Sequence, residues 1–303
     1  MATVARTSAF PNSTLTRGIH TIIGFNFTSR EPVCEKLANV RDSTAVREQE
    51  LTMGGAGLFW EKDEGTEIDY TSFNEGFLKN YTYVEYARGF RITRRMYIND
   101  LYQTMEQHPA ELGRMAMATR ETVAAGPFNN GFATETTADG QTVFAITHVR
   151  EDGVVYRNEF ASGSEADLSR TSLEAGLIDF RDFRSGGSLR LQLEPKTLLT
   201  ADNSIFEGWR ILESTHEPET DVNAINPVSQ MGLAHQTWSY LTDSDAWFLL
   251  AAKGTHSYNI FDRENFWSDH IIDFDTMDVK YSGLMAFSVG VTDPRGVFGS
   301  PGI

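Results

Sequence analysis

The chain reads YTYVEYARGFRITRRMYINDLYQTMEQHPAELGRMAMATRETVAAGPFNNGF over residues 81–132, and this stretch decides the fold. A strand-like run passes into a helical run with no turn cluster between them. Tyr83, Tyr86, Phe90 and Ile92 alternate imperfectly with polar neighbours, the pattern of a long, half-exposed strand. Asn99-Asp100 can cap a helix start. Pro109 is compatible with a first helical turn, where a missing N–H costs nothing. We therefore expect a short helical segment before Pro109 and the main helix over about residues 109–125. Leu112, Met115, Thr119 and Thr122 fall at spacings of three and four, and Ala116 and Val123 widen the stripe into a packing face. Gly126-Pro127 stops the helix. No cofactor loop or nucleophile cluster accompanies these elements, so the stretch reads as a structural part.

Upstream the character changes. MGGAGLFWEKDEGTEIDYTSFNEGFLKNYTYVEY, from Met53, is rich in glycine, aromatics and charge. Asp63-Glu64-Gly65 and Asn74-Glu75-Gly76 are turn signals between short alternating runs. Residues 51–82 read as a long two-stranded excursion with too few aliphatic side chains for a core. An isolated hairpin is marginal in water, so this one needs another surface. Gly54-Gly55-Ala56-Gly57 lacks the lysine and following helix of a phosphate loop and reads as a flexible hinge. Residues 1–13 read as an extended polar arm, and 14–25 as a short helix or strand.

Downstream, Asp139-Gly140 marks a turn and QTVFAITH a strand. Residues 169–180 have helical spacing, with Leu173, Leu177 and Phe180 on one side and Gly176 inside. Leu189, Leu191 and Leu193 alternate strictly, as in a half-buried strand closed by Pro195. LLTADNSIFEGWRILEST reads as a helix capped by Asp202 or Asn203, with Ile205, Trp209 and Leu212 as its apolar side and Gly208 as its weak point. DAWFLLAA, HIIDFDTMDVKY and GLMAFSVGVTD are mostly strand-like. The class is α+β without regular βα alternation.

The formal charge of −16 opposes non-specific attraction to nucleic acid or anionic lipid. The distribution is uneven. Before Glu31 stand Arg6, Arg17 and Arg30 and no carboxylate. The single cysteine, Cys34, excludes an internal disulfide framework and a multi-cysteine zinc site. The N-terminus lacks the apolar core of a signal peptide, and no apolar run is long enough to span a bilayer, so a soluble protein made inside the cell is expected.

Catalytic chemistry is hard to place. His20, His108, His148, His216, His235, His256 and His270 are scattered, with no pair at zinc-hydrolase spacing. Asp243-Ser244-Asp245 and Asp273-Phe274-Asp275 can contribute to a divalent-metal site, but alternating aspartates more commonly form turns. No nucleophile elbow is present.

Six stretches carry a family resemblance: EKDEGTEIDY at 61–70, YARGFRITRRMYINDLY at 86–102, DGQTVFAITH at 139–148, LRLQLEPKTLL at 189–199, DAWFLLAA at 245–252 and DPRGVFG at 293–299. In this order and spacing they resemble the major capsid proteins of tailed bacteriophages, particularly the Mu-like major head subunit, over about residues 25–301. The resemblance implies the Hong Kong 97-type major capsid fold. By that mapping residues 1–50 are an N-terminal arm and 51–82 an extended loop. Residues 83–138 and 266–303 make a peripheral domain with a spine helix, and 139–265 an axial domain.

The resemblance also implies a structural, non-enzymatic role without cofactor, metal or catalytic residues. Pentamers and hexamers of one chain would form an icosahedral shell in the virion, assembled in host cytoplasm around double-stranded DNA bound without sequence preference. A portal and a separate scaffolding protein are the expected partners, since the region before the loop is short. A decoration protein is an optional one, and no membrane is involved. Arg91, Arg94 and Arg95, near Asp100 and Glu106, are candidate inter-subunit contacts, as are Trp60, Lys62 and Lys79 of the loop. The lysines do not by themselves imply a covalent cross-link. Rival readings are an encapsulin-like nanocompartment, which discloses itself by an enzyme cargo, and a metal-dependent hydrolase or carbohydrate-binding protein.

Overall fold

In the computed structural model the strand and helix read in residues 81–132 are both present. The structure describes Phe27 and residues 32–303, except 56, 69, 71–74, 94, 96–106, 162–163, 165 and 215–224. Nearly all of the expected arm before residue 32 and the short helical segment before Pro109 lie outside the described residues.

Within the run described from residue 32, a one-turn helix, α1 (Val33–Leu37), precedes strand β1 (Asn39–Asp42). Strands β2 (Arg47–Met53) and β3 (Glu75–Thr82) pair antiparallel, with Glu50 opposite Lys79 and Leu51 opposite Leu78. The two-stranded excursion is therefore real and begins four residues before Leu51. Strand β4 (Val84–Ile92) follows at once, then helix α2 (Gln107–Ala124), with Pro109 in its first turn, and the short α3 (Gly126–Asn129). A two-residue ladder joins β5 (His148–Val149) to β6 (Val155–Tyr156). Helix α4 (Arg170–Arg181), strand β7 (Pro195–Thr200), helix α5 (Ile205–Glu213), β8 (Ala234–Thr237) and β9 (Trp247–Ala251) come next. Two long strands, β10 (Tyr258–Ile272) and β11 (Val279–Val291), and the short β12 (Val297–Ser300) close the chain.

Two four-stranded sheets organise these elements. The first runs β1-β10-β11-β4 and the second β12-β9-β7-β8. In the first, β1 is parallel to β10, and β11 is antiparallel to both of its neighbours, β10 and β4. Helix α2 crosses this sheet. Gly283 of β11 makes the crossing possible: a Cβ there would lie 2.7 Å from the Phe266 ring, which sits beneath the helix near Leu112.

The second sheet explains why WFLLA is apolar without alternation. All five residues of β9 are buried. Phe248 and Leu250 point into one core with Phe128, Phe144, Tyr258 and Phe287, while Trp247 and Leu249 point into the other with Leu173, Phe180 and Phe298. A strand buried on both faces needs apolar residues at every position. Helix α4 seats on the second core through Leu173, Leu177 and Phe180, as its spacing indicates. Ser169 caps it reciprocally with Ser172. Gly176 lets α4 approach closely, for a Cβ there would meet Trp247 at 3.0 Å.

Several expectations need correction. Residues 141–147 are irregular rather than a strand. Their backbone groups are taken elsewhere: the Val143 amide donates to the Glu135 carbonyl (2.9 Å), the Phe144 amide to Gly131 (3.0 Å), and the Ala145 amide to the buried Asn158 side chain (2.9 Å). The alternating leucines 189–193 also make no strand. Gln192 adopts φ 52°, which breaks the pleat, and the paired strand begins at Pro195 instead. On α5 the buried residues are Gly208, Ile211 and Leu212, whereas Trp209 is half exposed. Gly208 is a contact point: a Cβ would lie 2.5 Å from the His235 ring. On α2 Thr122 faces outward, and the buried face includes Arg120 and Glu121, charged residues that a hydrophobic stripe does not announce.

One buried histidine gives a pH prediction. His256 is 4% exposed, and its Nδ1 accepts the Tyr258 amide (3.2 Å). Burial pulls its pKa from 6.5 down to about 4. A depressed pKa means full stability above 6.5, lost as pH falls towards 4, because the unfolded chain takes the proton first. The loss is about 3 kcal/mol by linkage. Urea midpoints at pH 7 and pH 4 should therefore separate far more for the parent than for His256→Asn. Equal separations would contradict the assignment.

Candidate assembly surface

The hairpin β2–β3 carries a loop whose large apolar side chains are not covered by the described residues. Leu58 is 78% exposed, Phe59 105%, Trp60 80%, Ile68 62% and Tyr70 87%. Scattered exposed apolar residues are ordinary, but a contiguous group of this size marks an interaction surface. Charges surround it, with Glu61, Lys62, Asp63, Glu64 and Glu67 all exposed. Asp63 turns the chain by accepting the Thr66 amide on its carbonyl (3.3 Å), and Gly65 takes φ 84° in that turn.

A second exposed apolar group caps the β10–β11 hairpin: Trp267, Ile271, Ile272, Phe274 and Met277. Its turn is fixed from both sides. The Asp273 amide donates to the Asp278 carbonyl (2.9 Å), the Met277 amide to Asp273 (2.8 Å), and Lys280 pairs with the Asp273 carboxylate (2.8 Å). A third group, Phe206 and Trp209, stands on the outer side of α5. Strand β4 ends the first sheet, and its edge is lined by Glu85, Arg88 and Arg91, charges that discourage indiscriminate strand pairing.

The candidate contact residues are dispersed. Trp60 and Lys62 share the exposed loop. Arg91 donates from Nε to Asp278 Oδ2 (2.8 Å) within its own chain. Arg95 is exposed just beyond β4. Arg94, Asp100 and Glu106 lie outside the described residues. Lys79 is half buried. Its ammonium donates to the carbonyls of Thr136 and Val291 and lies 5.5 Å over the Tyr81 ring, and desolvation lowers its pKa. Sequence reading did not single out Phe59, Tyr70 or the β10–β11 tip, which are exposed. The signal was available in LFWEKDEG, where three large apolar residues stand in a row beside charges.

Behind these surfaces lies a polar core that holds α2 to β10. Arg120 and Asp262 are each 5% exposed and form two parallel hydrogen bonds of 2.8 Å. The guanidinium also lies 5.5 Å over the Phe287 ring. Next to it, Glu121 accepts the Trp238 indole N–H (2.5 Å) and the Cys34 amide (3.4 Å), while burial raises its pKa. The Cys34 thiol is pushed up to about 12 by the same desolvation, which keeps it protonated and inert. Among the described residues no group of three or more His, Cys, Asp or Glu side chains is placed to hold a metal ion. Both aspartate pairs act in turns: Asp243 accepts the Asp245 amide (3.1 Å) and Asp273 the Asp275 amide (3.2 Å). No described helix is long and apolar enough to cross a membrane.

Comparison with known proteins gives a consistent answer. The family described as phage capsid protein matches residues 79–299. No curated protein matches the sequence. Among solved structures, the capsid of the cyanophage P-SCSP1u aligns at 10% identity and TM-score 0.60, covering 89% of this chain and 88% of that one. The capsid of bacteriophage JBD30 aligns at 14% identity and TM-score 0.56, covering 71% and 93%. A virus-like particle from Pyrococcus furiosus aligns at 7% identity and TM-score 0.54, covering 95% and 99%. The long sheet crossed by a helix, the two-core second sheet and the projecting hairpin are thus the Hong Kong 97-type arrangement, and the chain belongs to the phage capsid protein family as a major capsid protein of that fold.

Proposed function

We propose that many copies of this chain form the pentamers and hexamers of an icosahedral head that encloses double-stranded DNA, and that the β2–β3 loop joins each copy to a neighbour. The observation that carries this is the loop itself, whose aromatic side chains are left exposed by the described residues. The sequence motifs favour a Mu-like head subunit. On this reading residues 1–50 are the arm, 51–82 the extended loop, 83–138 with 266–303 the peripheral domain, and 139–265 the axial domain. Strand β10 begins at Tyr258 and β12 pairs with β9, so the last two regions interlock across their boundary. Assembly takes place in host cytoplasm.

The mechanism is geometric. Individually modest contacts let misplaced subunits leave, and closure then gains stability from their number. A net charge of −16 keeps DNA from adhering to the shell, while the arm arginines offer a few phosphate contacts. A portal and a separate scaffolding protein complete the assembly. The JBD30 capsid has been seen decorated with minor capsid protein trimers, and a decoration protein is an optional partner here too. The test is the cargo of purified particles. Nuclease-protected double-stranded DNA is expected. An enzyme cargo without DNA would favour a nanocompartment and overturn the head assignment.

A further inference from the structure

We propose that Glu50, Lys79 and Tyr81 form a fixed joint that sets the angle at which the β2–β3 hairpin leaves the body, and that this angle selects the diameter of the assembled shell. The second half rests on the reading of the hairpin as the inter-subunit loop. Glu50 and Lys79 are directly opposite in the hairpin register, where a carboxylate and an ammonium ordinarily pair across the strands. Here each reaches into the body. Glu50 Oε2 accepts the Asn259 amide (2.6 Å) and the Thr292 hydroxyl, and Glu50 Oε1 accepts Arg41 (2.7 Å). Asn259 is held in turn by Asn39 (3.2 Å), whose amide also donates to the His256 carbonyl (2.7 Å). Lys79 donates to Thr136 and Val291, with Glu135 the nearby carboxylate.

Tyr81 completes the joint. It is 2% exposed, edge-on to Phe261 at 4.8 Å, and its hydroxyl lies 2.6 Å from Thr292 Oγ1. A threonine hydroxyl has one proton. Since Thr292 gives its proton to Glu50, Tyr81 is the donor in that bond, and the chain Tyr81–Thr292–Glu50 runs one way across β3, the end of β11 and β2. Gly290 makes room for it. A Cβ there would sit 2.9 Å from the Tyr81 ring and 3.1 Å from Lys79 Nζ. Both strands of the hairpin are therefore tied to the main sheet near one point, and bending at the base must break buried polar bonds. Beyond Glu50, β2 continues three residues to Met53, about 10 Å, so a tilt of about 10° moves the base of the loop by about 2 Å, enough to change how two copies meet. In a closed assembly of repeated contacts, that angle fixes curvature.

The test compares shells of the parent with Glu50→Gln, Lys79→Met, Lys79→Arg and Gly290→Ala, imaged by electron cryomicroscopy. Gly290→Ala removes no hydrogen-bonding group and adds one methyl against Tyr81 and Lys79. Glu50→Gln, Lys79→Met and Gly290→Ala are expected to give a displaced or broadened diameter distribution, with Lys79→Arg nearer the parent. Particles of parental diameter from all variants would overturn the proposal, even if melting temperatures fall. So would a loss of assembly with no change of diameter among the particles that do form. A separate variant, with residues 58–70 replaced by a short linker, tests the underlying reading. If it assembles like the parent, the hairpin is not an inter-subunit element, whatever the joint does.

Discussion

Asp262→Ala is expected to destabilise the subunit by about 3–5 kcal/mol, the range for removing one partner of a buried ion pair. The cost comes from what is left behind. Arg120, buried between α2 and β10, would lose its bidentate carboxylate, with both 2.8 Å bonds gone. Its contact with Phe287 offsets only part of that loss. Glu35, 3.5 Å from the Arg120 Nε, is half exposed and cannot replace a bidentate partner. Removing both charges is a different experiment. An Arg120→Met, Asp262→Leu pair keeps volume without a stranded charge and is expected to recover most of the loss. Urea denaturation of the unassembled subunit, as a double-mutant cycle, measures both. A single-mutant loss below about 1 kcal/mol, within the usual range of surface changes, would show that the pair does not hold α2 to β10.

Phe59→Ser with Trp60→Ser is expected to do the opposite: to leave the subunit's melting unchanged and suppress assembly. Both side chains are exposed among the described residues, so their loss removes little internal packing there. In a shell, covering two aromatics buries about 300–400 Å² and gains about 8–10 kcal/mol before ordering costs. A net loss of even about 3 kcal/mol per loop raises the concentration needed for assembly about a hundredfold. Light scattering against protein concentration measures that threshold. An unchanged threshold would remove the loop from the interface.

The large elements were legible because their signals are local. The α2 stripe at Leu112, Met115 and Ala116 and the α4 stripe at Leu173, Leu177 and Phe180 each follow from a few adjacent residues. What was hidden depends on distant partners. Nothing near Arg120 in the sequence announces Asp262 on β10. The alternation of Leu189, Leu191 and Leu193 carries a strand signal that loses to the φ of Gln192. Residues 141–147 look like a strand because Val143 and Phe144 are apolar, yet their hydrogen bonds go to Glu135, Gly131 and Asn158. Gly54–Gly57 read as a hinge, but Gly187 packs against it so closely that a Cβ would meet the Gly57 amide at 2.3 Å. Lys79 looked available to a neighbour because a sequence cannot show that Gly290 leaves space for it.

Electron cryomicroscopy of the purified protein under assembling conditions shows whether the loop of one copy is covered by a second. Uniform closed particles in which Phe59 and Trp60 lie against a neighbouring subunit are expected. A chain that stays monomeric under every condition, or particles whose loops stand in solvent, would contradict this arrangement.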